Sequence, residues 1–285
     1  MKKLTLLLML ALSFSQSALS LQYSKADSLK VVRLFLQADS QKFNNIQERT
    51  LFFARKLIGI PYVASTLEVN RKEQLVVNLR QLDCTTFVEN SLALALTHQS
   101  GKKTFREFCK KLQTLRYRGG KDVSYIGRLH YFTEWIEDNT RLGICKEIQS
   151  PNPPFTMIQH VRVDYMSRHS DKYPMLFNNS FNRAGISKME RAISGKSYRY
   201  IPKSQVKNTR LLRSTIKNGD IIAIITNKSG LDTQHIGFAV WHKDGLHLLN
   251  ASSIHHKVVE EPMLLSAYLA KRKTMPGIRI IRLKN

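Results

Sequence analysis

Apolar residues recur with a helical period in the first half of the chain, and with a period of two or in short runs in its last third. The helical pattern predicts helices over residues 28–37, 48–57, 84–97 and about 131–138. A further helix is predicted to begin after Thr104, which forms a capping pair with Glu107. The shorter pattern predicts strands over residues 220–226, 234–241, 246–250, 257–260 and 278–283. Helices first and consecutive strands last are typical of an α+β fold, here with a helix packed on an antiparallel sheet.

The first twenty residues have the composition of a secretory signal peptide. Two lysines precede an apolar run over residues 4–14, and Ala18-Leu19-Ser20 offers small residues for cleavage. No cysteine follows the run, so a lipid anchor is not expected. No later segment approaches the roughly 18 apolar residues of a membrane span. We therefore expect a signal peptide at 1–20 and a single domain at 21–285, without a transmembrane span, in the periplasm or outside the cell.

The chain is strongly basic, with a formal net charge of +24. The segment from Arg183 to Lys217 concentrates ten basic residues against one acid, Glu190. Such a segment is either a solvated face or a contact for an anionic polymer or lipid of the cell envelope. Nucleic acid is not an expected partner, because no nucleic-acid-binding motif accompanies the charge.

Three cysteines are too few for a disulfide framework in a chain of this size. Cys109 lies on the apolar stripe of its predicted helix, and Cys145, in a loop, could pair with it or remain free. Cys84 differs because it follows Asp83 at the first turn of a predicted helix. A helix N-terminus favours negative charge and so lowers the pKa of a thiol, which makes Cys84 the candidate nucleophile.

Two later polar residues, His235 and Asn250, fall on neighbouring predicted strands. A four-residue loop at 242–245 would pair Gly237 with Asn250 and place His235 diagonally on the same face, within reach of two polar side chains. The Asp244-Gly245 dipeptide favours a two-residue turn, which would move Asn250 too far away. Each residue alone is as easily explained as a core or turn residue. Together, in the order Cys, His, Asn, they have the arrangement of papain-like thiol enzymes.

Several short motifs carry a family resemblance. Those at residues 59–63, 83–84, 235–239 and 250–252 resemble the NlpC-type papain-like cysteine peptidases and amidases of bacterial cell-wall metabolism. Those at 82–90, 128–136 and 220–253 are similar to the family described as N-acetylmuramoyl-L-alanine amidase-like, and the resemblance extends from about Tyr62 onward. It implies a papain-like core with a helical N-terminal part and a basic insertion at about 98–217.

The resemblance also implies roles for individual residues. Cys84 matches the nucleophile, His235 the base and Asn250 the orienting residue, although histidine is frequent at that third place. Asp83 would cap the helix first and bind a substrate amine second. Further substrate-binding candidates are Tyr62 in the cleft and the donors and stacking surface of Arg128, His130 and Tyr131.

No cofactor or metal is expected. His130 could join Cys84 or the pair His255-His256 as a ligand, but no spacing typical of a zinc site occurs.

The implied activity is hydrolysis of the amide between N-acetylmuramic acid and L-alanine in muropeptides or peptidoglycan, with a muropeptide as the substrate. Three alternatives remain: a cysteine endopeptidase that cuts within the stem peptide, an acyltransferase that uses the same thiol, and a non-catalytic basic wall-binding protein.

Overall fold

The computed structural model describes residues 20–285, so the predicted signal peptide lies, apart from Ser20, outside the described residues. The helices are α1 Lys25–Asp39, α2 Ile46–Arg55, α3 Cys84–Gln99, α4 Phe105–Arg116, α5 Phe132–Arg141, α6 Tyr165–Arg168, α7 Ser180–Ile193, α8 Arg210–Thr215 and α9 Leu265–Ala270. The strands are β1 Leu21–Gln22, β2 Leu75–Val76, β3 Cys145–Ile148, β4 Met157–His160, β5 Ser197–Pro202, β6 Ile221–Ile225, β7 Thr233–Trp241, β8 Leu246–Ser252, β9 Lys257–Glu260 and β10 Gly277–Leu283.

One large antiparallel sheet organises the fold, in the order β4-β5-β10-β6-β7-β8-β9, and β3 pairs with the far end of β10. The two short strands β1 and β2 form a separate parallel pair. The α+β prediction with an antiparallel sheet is therefore confirmed at the level of a mixed fold, and all the predicted helices and strands occur. Within residues 20–285, none of the helices has the length and apolar character required to cross a membrane.

The sheet separates two apolar cores. Along β6 the side chains alternate: Ile221 and Ala223 face the core formed with α1–α5, whereas Ile222 and Ile224 face a second core that includes α8 and α9. A third, smaller cluster is built around α7 and residues such as Tyr131. Because both faces are covered, these central strands are apolar runs rather than alternating ones.

Helix α3 lies in the middle of the helical layer. Phe87 makes an edge-to-face contact with Phe238 of β7, with ring centroids 5.6 Å apart. Nearly all of α3 is buried, because α2 and α4 pack on the sides that do not face the sheet. A buried salt bridge connects α4 to α3: the distance between Arg116 Nε and Glu89 Oε2 is 2.7 Å.

Residues 59–63 extend the sheet beyond its edge strand β9 and lead to α3. The Tyr62 amide donates to the carbonyl of His256 at 2.9 Å, and the Leu82 amide donates to the carbonyl of Pro61 at 3.0 Å. The chain that precedes Cys84 is therefore fixed to the same side of the sheet as β8 and β9.

The segment at 98–217 contributes β3, β4 and β5 to the large sheet, and its identity as an insertion stays a prediction. The sequence missed these three strands, the short pair β1 and β2, and α6 to α9. All three cysteines are free: Cys109 is buried on its predicted stripe, and Cys145 begins β3 instead of lying in a loop.

Candidate active site

The N-terminus of α3 is capped by Asp83, the residue before the candidate nucleophile. Its Oδ1 accepts hydrogen bonds from the Thr86 amide at 2.7 Å and the Thr86 hydroxyl at 2.8 Å, and its own amide donates to that hydroxyl at 2.9 Å. Cys84 is thereby held as the first residue of the helix. The capping function predicted for Asp83 is present in this geometry.

His235 and Asn250 lie on the hairpin formed by β7 and β8. Trp241 pairs with Leu246, and the amide of His242 donates to the carbonyl of Gly245 at 2.8 Å to close a four-residue loop. This register places His235 diagonally to Asn250, and the distance from His235 Nε2 to Asn250 Oδ1 is 2.8 Å. The structure thus has the four-residue loop that the catalytic hypothesis required, and His235 and Asn250 share a face.

Gly237 allows the two strands to approach closely beneath this hydrogen bond. A Cβ at this position would lie 2.7 Å from the carbonyl oxygen of Leu249 and 2.9 Å from the Cβ of Asn250. Any side chain here would push Asn250 away from His235.

Most of the predicted site residues surround one cleft of about 360 Å³. Those that line it are Asp83, Cys84, Arg128, His130, Tyr131 and His235. Asn250 is fully buried behind His235, and Tyr62 is half-buried beside Cys84. The cleft therefore contains a thiol and an imidazole that come from regions of the chain far apart in sequence.

Burial gives the thiol and the imidazole pKa shifts in opposite directions. Burial, and then the negative charge of Asp83, raise the pKa of Cys84 to about 12, although the backbone of Ile236 and the neighbouring Thr85 act against this. Burial also lowers the pKa of His235, against the opposing effect of its hydrogen bond to Asn250. The net shift is opposite in direction to the lowering predicted from the helix N-terminus, because desolvation and the Asp83 charge outweigh the hydrogen bonds that lower this pKa.

Tyr62 lies close to Cys84, and Tyr268 lies close to His235. Burial and the neighbouring Cys84 raise the pKa of Tyr62 to about 12. The ring of Tyr268, in α9, is nearly parallel to that of His235 at 6.4 Å, and the guanidinium carbon of Arg272 lies 3.6 Å from the Tyr268 ring centroid. No motif in the sequence pointed to Tyr268 or Arg272.

The Arg128 guanidinium is already occupied by partners in the protein. It pairs with Glu68 and, at 3.4 Å, with Glu73, and it donates to the carbonyl of Leu67 at 3.2 Å. The residue is only 4% exposed. Arg128 thus holds the wall of the cleft, and its predicted contact with substrate stays a prediction.

His130 and Tyr131 are also held by internal hydrogen bonds. His130 Nε2 donates to the Tyr125 carbonyl at 2.7 Å, and burial lowers the pKa of this histidine well below its usual value. The Tyr131 hydroxyl donates to Glu190 at 2.7 Å, and the ring is buried. His130 is the more accessible of the two, with its Nδ1 unused by this bond.

Two acidic residues that the sequence analysis did not single out support the site. Asp232 accepts the Thr133 amide at 2.6 Å and so caps α5 from a different part of the chain. Glu261 accepts from the Asn250 side-chain amide at 3.2 Å and is 3% exposed. Among residues 20–285, no group of three or more His, Cys, Asp or Glu side chains is arranged to hold a metal ion.

Comparison with solved structures gives close matches. An N-acetylmuramoyl-L-alanine amidase from Bacteroides uniformis ATCC 8492 is 38% identical, with a TM-score of 0.78, over 84% of this chain and 99% of that one. A putative xylanase from Bacteroides fragilis is 40% identical, with a TM-score of 0.74, over 81% of this chain and 98% of that one. A Legionella pneumophila protein assigned to family DUF1460 shares the fold at 22% identity, with a TM-score of 0.69 over 91% of this chain and 95% of that one.

Comparison with proteins of curated function finds no significant match. The model of the AmiA-like family, described as N-acetylmuramoyl-L-alanine amidase-like, matches residues 52–278. That range includes Cys84, His235 and Asn250 together with the whole cleft. The chain therefore belongs to the N-acetylmuramoyl-L-alanine amidase-like family.

Proposed function

We propose that the protein hydrolyses the amide bond between the lactyl group of N-acetylmuramic acid and L-alanine in muropeptides, with Cys84 as nucleophile, His235 as base and Asn250 as orienting residue. The family match and the solved structures named as amidases support a peptidoglycan amidase. The single observation that carries the cysteine mechanism is the His235–Asn250 hydrogen bond of 2.8 Å at the cleft that contains Cys84. On this proposal the fold is a variant of the NlpC-type papain-like core.

The His235 tautomer follows from its partner. Asn250 Oδ1 is an acceptor, so His235 Nε2 carries the proton and donates it. The other ring nitrogen, Nδ1, then has a free lone pair with which to accept a proton from the thiol. In the first step the Cys84 sulfur attacks the lactyl carbonyl carbon while its proton passes to Nδ1.

The same imidazole completes the cycle. The protonated Nδ1 gives its proton to the alanine nitrogen as the C–N bond breaks, which leaves a thioester on Cys84. His235 then takes a proton from water, whose oxygen attacks the thioester carbonyl and releases the muramic carboxylate and the thiol. The backbone amide of Cys84, at the N-terminus of α3, is suited to stabilise the oxyanion formed in both steps.

The pKa shifts support a neutral resting pair rather than a thiolate-imidazolium pair. The raised pKa of Cys84 keeps sulfur protonated, and the lowered pKa of His235 keeps the ring neutral. The thiolate would therefore form as the attack proceeds, when the substrate carbonyl is already in place.

A glycosidase, as the name of the Bacteroides fragilis structure suggests, fits the cleft less well. Glycoside hydrolysis generally needs two carboxyl groups that flank the scissile bond, one to protonate and one to attack or activate water. The cleft carboxylates have other partners: Asp83 caps α3, Glu68 pairs with Arg128, and Asp232 caps α5.

Mass spectrometry of a defined muropeptide tests the proposal. We expect wild type to release a peptide with a free L-alanine amino group, and in ¹⁸O water to place the label in the muramic carboxylate. Cys84→Ser and His235→Ala should lose this activity, whereas Cys109→Ala, which removes a buried thiol outside the cleft, should keep it. Cleavage inside the stem would identify an endopeptidase, product formed only with an added amine acceptor a transferase, and no turnover a binding protein.

The cellular setting is also a proposal. Secretion across the inner membrane, driven by the predicted signal peptide, would bring the enzyme to its substrate in the periplasm or outside the cell. The exposed cations of residues 183–217, which include Arg183, Lys188 and Arg191, suit contact with an anionic envelope polymer or lipid.

A further inference from the structure

Asn250 is held by a second set of hydrogen bonds on the side away from His235. Its Nδ2 donates to Glu261 Oε1 at 3.2 Å and makes longer contacts of 3.3 Å with the Leu248 carbonyl and 3.5 Å with the Val259 carbonyl. Glu261 supplies the shortest of these contacts and the charged one, and hydrogen bonds to a charged acceptor are the stronger kind.

These acceptors decide which way the Asn250 amide faces. All three are oxygens, so only the nitrogen of the amide can face them. The amide oxygen must then face His235, and an oxygen there requires the proton of the ring to be on Nε2. The position of the buried Glu261 carboxylate therefore orients the Asn250 amide. The Asn250 amide in turn leaves Nδ1 of His235 without a proton and available to the thiol.

Glu261 is itself fixed in place. Its other oxygen, Oε2, accepts from His255 Nε2 at 3.0 Å, its amide donates to the Leu248 carbonyl at 2.9 Å, and its carbonyl accepts from His247 Nδ1 at 2.8 Å. The Glu261 side chain is 3% exposed, whereas that of His255 is 38% exposed. A buried carboxylate held at both oxygens and on both sides of its backbone has little freedom to turn.

We propose that Glu261 is a positioning residue that, through Asn250, holds His235 in the tautomer with its proton on Nε2. This proposal rests on the proposed function, because it assigns Glu261 to the base of that reaction. Glu261 touches neither the substrate cleft nor Cys84, so it acts only through Asn250.

The charge of Glu261 has a second, separable effect on His235. Burial lowers the pKa of His235 overall; the charges of Glu261 and Asp83 act against this lowering, whereas that of Arg272 adds to it. Glu261→Gln keeps an oxygen acceptor for Asn250 but removes the charge, whereas Glu261→Ala removes both. The neighbouring Glu260 provides a matched control, because its carboxylate turns the other way and pairs with Arg55 and His242.

The experiment measures kcat, KM and the pH profile of the three variants on a defined muropeptide, together with ¹⁵N NMR of the His235 ring. We expect Glu261→Ala to lower kcat by about 10-fold to 100-fold with little change in KM, as for other partners that orient a functional histidine, and to lose the Nε2–H signal. Glu261→Gln should restore most of kcat and the signal, with the acid limb of activity moved to lower pH. Glu260→Gln should match wild type in all of these.

Two results would overturn the proposal: Glu261→Ala with unchanged kcat and unchanged ring protonation, or Glu261→Gln as defective as Glu261→Ala in a folded protein. The NMR measurement needs no substrate. If wild type fails to cleave the muramyl-alanine bond, the proposed function fails, and the ring signal still decides whether Glu261 sets the tautomer.

Discussion

Replacing Gly237 by alanine tests whether the site depends on the close approach of β7 and β8. The added Cβ would lie 2.7 Å from the Leu249 carbonyl oxygen, whereas ordinary contacts begin at 3.4 Å, so the strands must separate by about 0.7 Å. The same displacement at Asn250 would lengthen its 2.8 Å hydrogen bond to His235 to about 3.5 Å, the limit of a hydrogen bond. We expect activity to fall about 10²-fold, as for a displacement of this size in other active sites.

The assay compares kcat/KM on a defined muropeptide with the free energy of unfolding in urea. Overpacking between the strands should cost about 1–3 kcal/mol. Gly143→Ala is the control: Gly143 has a φ of +76° and an open surrounding, so alanine there costs about 1–2 kcal/mol through its backbone alone and should leave kcat/KM unchanged. If Gly237→Ala is folded and keeps kcat/KM within a factor of about two, the reasoning about strand separation is wrong.

Further predictions concern protonation, buried charge and surface charge. Alkylation of Cys84 by iodoacetamide should accelerate up to pH 10 and beyond, because burial raises the pKa of this thiol to about 12; a plateau below pH 8 would instead reveal a preformed thiolate. Activity should fall with decreasing pH through the pKa of His235, because the base must be neutral, and the midpoint should lie below the ordinary histidine value of 6.5 since burial lowers that pKa; a midpoint above 6.5 contradicts this. Arg128→Ala should destabilise the protein by about 3–5 kcal/mol in urea, because two largely buried carboxylates lose their partner, whereas exposed Arg71→Ala should change stability little; equal effects would refute it. Association with purified wall or anionic lipid through residues 183–217 should weaken from low to high salt, while turnover of a small muropeptide changes little; salt-independent association would show that this segment is only a solvated face.

The hairpin that carries His235 and Asn250 could be predicted because its evidence is local. Strand alternation fixes which residues share a face, and loop length then fixes the offset between them. A four-residue loop and a two-residue turn were both open from the sequence. The four-residue loop is the one that brings the two side chains together, and it is the one observed, against the preference of the Asp-Gly dipeptide.

The short strands β3, β4 and β5 could not be predicted, because their stability comes from distant partners. Residues 145–148 read Cys-Lys-Glu-Ile, with no period to distinguish them from a loop, yet they pair with residues 280–283 of β10. Interactions made across a long stretch of chain override weak local preference.

The environment of Arg128 could not be predicted from the sequence, because it also depends on residues far away in the chain. Arginine beside aromatic residues indicated a free donor for substrate, but Glu68 and Glu73, from a loop far away in the chain, bury and pair it. The raised pKa of Cys84 is a similar case, since the helix N-terminus is visible in the sequence whereas the extent of desolvation is not. The positions of chemical groups were more predictable than their surroundings.

The position of β10 has a consequence for how the protein folds. This strand, at residues 277–283, pairs with β6 on one side and with β5 and β3 on the other, so the middle of the sheet is completed by the last of the strands found in residues 20–285. Partners so far apart in sequence slow folding, because long loops must close first. Strands β5 and β6 are joined only through β10, so the sheet on which α3 and the β7–β8 hairpin rest is continuous only after β10 has paired.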